Sequence, residues 1–308
     1  NHASSIRPLK INFVRMKKFF IVLFSMFSFI FLANGQDILH GKVLENQSMP
    51  SKILNRAVHF AVYFPPDYQY SERRYPVVYL LHGYSDKEWG WIQFGEVQQA
   101  ADKTIADGTI PPMIIVMPDG KITWYINDVE GKDRYEDMIF NEFITYVDAT
   151  FRTRPEKEFR GVAGLSMGGY GSLVWSLHHP ETFAACAALS AGVMTDEEIN
   201  NMPEEEYKSI FTNRYTSSPS NRLTQHWYKN SVIALFSQLP DDKKKDVRYW
   251  IDCGDDDFLY KGNSTLHILL RDRNIPHEYR VRNGSHSWEY WRTGIKDALK
   301  FIGESFHR

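Results

Sequence analysis

Cysteine is scarce in this chain, with two in 308 residues. Two thiols cannot staple a fold of this length, so a small disulfide scaffold is excluded. A surplus of one charge is also missing. The 36 basic and 38 acidic residues leave a formal charge of −2, which provides no footprint for a nucleic-acid partner. No internal repeat, low-complexity tract, zinc motif or nucleotide-binding motif occurs, so no metal or other cofactor is expected. What is there is ordinary for a globular protein: 43% apolar and 24% charged residues. Aromatics are plentiful at 15%, with eight Trp. Core packing accounts for most such residues, and some can line a site for a ring or a sugar.

The first 35 residues read as separate from the fold. Lys17 and Lys18 precede an uncharged run, 19–33, of 15 residues. That is short of the roughly 20 needed to span a bilayer and right for the core of a signal peptide. Ala33 and Gly35 are the small residues of a cleavage site, so a mature chain beginning at Gln36 is expected. Met16 reads as the natural start, with residues 1–15 upstream of it. No Cys follows the run, which argues against a lipoprotein anchor. The expected product is secreted or periplasmic, without a stable membrane anchor.

Residues 36–308 read as one domain. Residues 76–81 and 113–117 are continuous apolar runs closed by Gly or Pro, the mark of central strands in a buried parallel sheet. Residues 57–63 alternate loosely and suit an outer strand. Further strands are expected at 159–164, 183–190, 247–252 and 277–281. Helices are expected at 93–106, 135–151, 168–179, 264–273 and 288–306. Steady alternation predicts an α/β fold: a mostly parallel, doubly wound sheet with helices on both faces. Residues 192–245 interrupt the rhythm with about 50 residues between strands, far beyond a usual connection. They read as a cap-like insertion over one end of the sheet. Cys186 and Cys253 fall in strands expected to be parallel neighbours and read as buried thiols.

Gly164-Leu165-Ser166-Met167-Gly168 lies between a strand and a helix, the context that G-x-S-x-G requires. A serine on a sharp strand-to-helix turn needs neighbours without Cβ, and the turn places its hydroxyl at a helix N-terminus. There, free N–H groups stabilise an oxyanion. A serine hydroxyl needs a base. His286, on the loop after the last strand, has the right position, with His82, His178, His179 and His277 as competitors. An acid should follow the preceding strand. Asp252 lies within that strand, and spacing alone does not choose among Asp255, Asp256 and Asp257. The loop after Leu81, starting His82-Gly83, supplies the second oxyanion N–H in this arrangement. That donor is assigned to Tyr84, with Met167 giving the other.

Four stretches carry a family likeness: YPVVYLLHGYSDKEWGW from Tyr75, GVAGLSMGGYGSLVWSLHHPETF from Gly161, DCGDDDFLY from Asp252 and HSWEYW from His286. Together they resemble the putative-esterase group of α/β hydrolases. That group includes esterase D (S-formylglutathione hydrolase), the mycolyltransferases, and the feruloyl and acetylxylan esterases of carbohydrate esterase family one. The resemblance implies the α/β-hydrolase fold, no cofactor, and a triad of Ser166, Asp257 and His286. Tyr84 departs from relatives that carry a small or aliphatic residue there, which would narrow the acyl pocket. Export argues against formylglutathione as substrate. With the aromatic load, it favours hydroxycinnamoyl esters, such as feruloyl groups, on plant polysaccharide. The alternatives are an acetylxylan or short-chain carboxylesterase, and a secreted binding protein with a dead hydrolase fold. Trp89, Trp91, Trp124, Tyr125, Phe258 and Trp288 are the candidate substrate contacts.

Overall fold

The computed structural model describes residues 39–211 and 213–307. The expected leader, 1–35, lies outside the described residues. Eight strands form one sheet in the order β1-β2-β4-β3-β5-β6-β7-β8. They are β1 (Lys42–Ser51), β2 (Arg56–Phe64), β3 (Val77–Leu81), β4 (Ile114–Pro118), β5 (Arg160–Leu165), β6 (Ala185–Leu189), β7 (Arg248–Gly254) and β8 (His277–Arg282). β2 pairs antiparallel with β1 and β4, and all remaining pairs are parallel.

The apolar runs become the centre of the sheet. Every residue of β3, β4, β5 and β6 is buried. Because side chains alternate along a strand, each run feeds two cores. Val77, Tyr79 and Leu81 point to one face, while Val78 and Leu80 point to the other. The stretch at 57–63 is not outermost as expected. β1 covers it, and the two strands pair along nearly their whole length with a bulge between Leu44 and Gln47. β1 itself is mostly exposed and carries charge, so its apolar signal is weak.

Helices cover both faces. The helix expected at 93–106 is two, α1 (Gly90–Gln93) and α2 (Val97–Ala106). Glu96 breaks it with a left-handed backbone, φ 51°. Next come α3 (Tyr135–Met138) and α4 (Ile144–Thr150), joined by a π-helical segment at Ile139–Phe143. Then follow α5 (Met167–His178), α6 (Asp196–Asn201), α7 (Glu204–Phe211), α8 (Gln225–Asn230), α9 (Val232–Gln238), α10 (Tyr260–Asp272) and α11 (Trp288–Gly303). α11 buries Trp291, Ile295, Ala298, Leu299 and Ile302, a stripe at helical spacing. Truncating Ile295 to Ala would cost about 2–5 kcal/mol.

The insertion, α6 to α9, carries its own ties. Thr195 and Glu198 form a capping box on α6. The acidic runs of α6 and α7 occupy their first turns, where the helix dipole favours anions. Buried Arg222 lies over the Tyr207 ring and donates to the carbonyls of Ile199 and Met202. On the sheet side, the Tyr170 hydroxyl donates to the Asn230 carbonyl at 2.8 Å.

Cys186 and Cys253 do lie on neighbouring parallel strands, and both are free and buried. Cys186 is opposite Tyr249, four residues before Cys253 on the next strand. At about 3.3 Å per residue that is roughly 13 Å, too far for a disulfide. Burial pushes both thiols up to about 12.

Candidate active site

β5 ends at Leu165 and α5 begins at Met167, so Ser166 alone makes the turn. Its backbone sits at φ 53°, ψ −118°, a region closed to most residues with a Cβ. The end of β6 and the loop after it hold it there. The Ser166 N–H donates to the Leu189 carbonyl at 2.9 Å, and its own carbonyl accepts from Gly192 N at 2.8 Å. The flanking glycines are required by close approach. A Cβ on Gly164 would lie 2.4 Å from the Gly168 carbonyl oxygen, and one on Gly168 would lie 2.4 Å from that of Leu81.

Three distant segments then meet. His286 Nε2 is 2.9 Å from Ser166 Oγ. His286 Nδ1 is 2.9 Å from Asp257 Oδ2 and 3.1 Å from Oδ1. The Asp257 side chain is 0% exposed and that of His286 15%. Burial pushes the Asp257 carboxyl up. The hydrogen bond and charge of His286, the Leu259 N–H and the Ser190 hydroxyl outweigh burial and hold it below the ordinary carboxylate range. An ionised Asp257 accepts a hydrogen bond from Nδ1–H, which keeps the proton there and leaves Nε2 free to accept from the serine.

The other acids have structural places. Asp252 is fully buried, takes two guanidinium donors from Arg282 and accepts from the Tyr290 hydroxyl. Asp255 Oδ1 accepts from Gly284 N at 2.8 Å, tying down the loop that carries His286. Asp256 is exposed. The competing histidines are likewise accounted for. His82 is buried; its Nε2 accepts from Gly120 N at 2.8 Å and its Nδ1 lies 2.8 Å from the Gly83 carbonyl. His178 and His179 flank Glu136, and His277 pairs with His267.

A cleft of about 300 Å³ opens beside Ser166. Trp124, Met194 and Ile210 form one wall; Phe258, His286 and Trp291 border the other side. Tyr84 and Asp86 come from the loop after β3. Met194 and Ile210 belong to the insertion, so that segment builds part of the wall. Of the six aromatic candidates, Trp124 and Phe258 line the cleft. Trp89, Trp91, Tyr125 and Trp288 do not, and each has another role. Trp91 Nε1 donates to the Leu81 carbonyl at 2.9 Å and the Tyr125 hydroxyl to the His82 carbonyl at 3.1 Å. These two buried rings therefore hold the backbone just before Tyr84. Trp288 packs on Trp91 and Phe94, and Trp89 on Phe94.

Tyr84 follows Gly83, whose position beside Ser166 leaves room for no bulky group: a methyl there would lie 2.7 Å from Leu165 Cδ1. The Tyr84 side chain lines the cleft beside Trp124 and reaches the insertion, its hydroxyl donating to the Ser209 carbonyl at 2.5 Å. Met167, as the first residue of α5, has an N–H that the helix itself leaves unpaired. Residues that sequence reasoning passed over include Met194, Ile210 and Trp291 in the wall, and Ser190, whose Oγ accepts from Trp291 Nε1 at 3.0 Å. Trp291 alone had a signal, lying one helical turn beyond Trp288 beside the His286 loop. Among the described residues, no group of three or more His, Cys, Asp or Glu is arranged to hold a metal ion.

Comparison with known proteins adds to this geometry. A family model described as "Putative esterase" matches residues 51–302. A ferulic acid esterase of known structure superposes with a TM-score of 0.75 at 31% identity, covering 87% of this chain and 99% of that one. The chain is 25% identical over 229 residues to an acetyl esterase of Caldicellulosiruptor saccharolyticus, covering 74% of this chain and 83% of the relative. It is 33% identical over 184 residues to an endo-1,4-beta-xylanase/feruloyl esterase of Xylanibacter ruminicola, covering 58% of this chain and 25% of that relative's length.

Proposed function

The chain belongs to the "Putative esterase" family of α/β hydrolases, and on that footing we propose that it is an exported serine esterase that removes hydroxycinnamoyl groups from plant polysaccharide. The observation that carries the chemistry is the continuous Ser166–His286–Asp257 chain, with both links near 2.9 Å. His286 Nε2 takes the proton from Ser166 Oγ as that oxygen attacks the ester carbon. The N–H groups of Met167 and Tyr84 receive the oxyanion. Asp257 keeps the imidazole in the needed tautomer and stabilises its charged form. His286 then returns the proton to the departing alcohol. An acyl group stays on Ser166 until water, deprotonated by His286, releases it as the free acid.

The cleft supports the acyl assignment. Its volume of about 300 Å³ is at the lower end of pockets that hold a small organic ligand. An acetyl group would leave most of that space to water, whereas an aromatic acyl group would fill it against Trp124, Met194 and Ile210. The relative named an acetyl esterase supports the second reading, a carboxylesterase for acetylated sugars. Export rests on the leader pattern at 17–35, and the mass of the mature N-terminus tests it: Gln36 is expected. The function is tested by turnover of methyl ferulate against an acetylated xylan, with Ser166→Ala alongside. Ferulate preferred and an inactive variant is the expected result. Preference for acetate by more than about tenfold, roughly 1.4 kcal/mol of discrimination, would reject the feruloyl reading.

A further inference from the structure

Among the described residues lining the cleft, Asp86 is the only carboxylate, and the triad does not use it. Among the described residues, nothing donates a hydrogen bond to its side chain and no cation pairs with it. Half-buried in the cleft lining, it stays open to water, so a substrate that displaces that water must bring a donor or leave the charge unpaired. Burial raises its pKa, against the opposing effect of the His82 charge. Its place is close to the reacting atoms. A methyl group on Gly83 would lie 3.5 Å from Asp86 Oδ2 and 3.6 Å from Ser166 Cβ. The carboxylate and the nucleophile therefore both border the short stretch of backbone at Gly83.

The surroundings indicate which part of a substrate reaches Asp86. Trp124, with Met194 and Ile210 packed beside it, belongs to the core on one face of the sheet, and this wall offers no charge. Asp86 lies toward the other face. A methyl group on Gly90 would be 3.4 Å from both Asp86 Cγ and Trp288 Cζ2, and Trp288 packs against that second core. Aromatic surface continues outward from there. Trp288 meets Phe94, which is 42% exposed, and Phe94 meets Trp89. An apolar acyl group suits the first wall. A carboxylate beside aromatic rings suits a sugar, whose C–H face packs on the rings while a hydroxyl donates to the acid.

We propose that Asp86 determines specificity for the alcohol portion of the ester, accepting a hydrogen bond from a sugar hydroxyl and so selecting sugar esters over simple alkyl esters. This rests on the serine-esterase reading above, but not on which acyl group is removed. An alkyl ester brings no donor, and the unpaired charge then opposes the nearby oxyanion.

The test compares two esters of one acid, feruloylated arabinose and methyl ferulate, in the native enzyme, Asp86→Asn and Asp86→Ala. The ratio of their kcat/KM values should fall about tenfold to a hundredfold in Asp86→Ala, the range for a lost hydrogen bond to a charged group. Asp86→Asn, which keeps an acceptor oxygen, should fall less, and it carries the test if the alanine variant does not fold. A ratio within twofold of native in the variants would overturn the proposal. So would an equal loss on both esters, which would mark a structural role. If the native enzyme ignores ferulate, that reading fails separately, and the same ratio is taken with acetylated arabinose and methyl acetate.

Discussion

Replacing Ser166 with glycine should make the protein more stable than replacing it with alanine, although both variants lose the nucleophile. Each loses the same hydrogen bond to His286, so their difference isolates the backbone. Ser166 sits at φ 53°, ψ −118°. A residue with a Cβ is held there at a cost of about 1–3 kcal/mol. For glycine this is the mirror image of an ordinary extended conformation and is unstrained, but its looser unfolded chain removes about 0.5–1 kcal/mol of the gain. The glycine variant should therefore exceed the alanine variant by about 1 kcal/mol, and by no more than about 2.5 kcal/mol. In a domain of this size each kcal/mol moves Tm by roughly 2–4 °C. Calorimetry should show Ser166→Gly melting about 2–4 °C above Ser166→Ala, with no esterase activity in either. A glycine variant that melts at or below the alanine variant would refute the claim that the turn stores strain for the nucleophile.

Further outcomes follow from the same geometry. Asp257→Asn should lower kcat by about 10⁴, as loss of the carboxylate misplaces the imidazole proton, in steady-state assays on a folded variant. Asp257 is held below 3.8 in the folded protein. Its contribution to stability is therefore complete above that unfolded value and lost as pH falls through the folded one. Urea midpoints between about pH 5 and pH 3 should fall less steeply in Asp257→Asn than in the native protein. Gly168→Ala places a Cβ 2.4 Å from the Leu81 carbonyl oxygen and 2.6 Å from that of His82. With only backbone to yield, it should destabilise by about 1–3 kcal/mol or more, read from denaturant midpoints, and abolish turnover. Trp124→Ala should reduce kcat/KM for methyl ferulate at least tenfold more than for a short acetyl ester; equal losses would show that this wall does not hold the acyl group.

Much of this arrangement was legible in the sequence, for a physical reason. Strands buried on both faces must be apolar throughout, so β3 and β4 announce themselves. The serine turn is equally plain, because only glycine fits at 164 and 168. β1 was hidden because an edge strand needs little apolar surface. The short left-handed break at Glu96 has no composition signal. The three acids after β7 could not be separated by spacing. They differ only in direction, with Asp255 tying a loop, Asp256 facing solvent and Asp257 meeting the imidazole. The aromatic candidates divided for the same reason. An indole suits a core as well as a cleft, and Trp91 and Tyr125 turned out to brace the loop that carries Tyr84. Asp86 went unnoticed because its interest lies in what is missing around it.

Covalent trapping addresses the nucleophile most directly. A fluorophosphonate should add once per chain, lose its leaving fluoride, and be found by peptide mass spectrometry on Ser166, with activity falling in proportion. Neither Ser166→Ala nor protein preincubated with saturating ester substrate should label at a comparable rate. An adduct on another residue, or full turnover after stoichiometric modification of Ser166, would contradict the account.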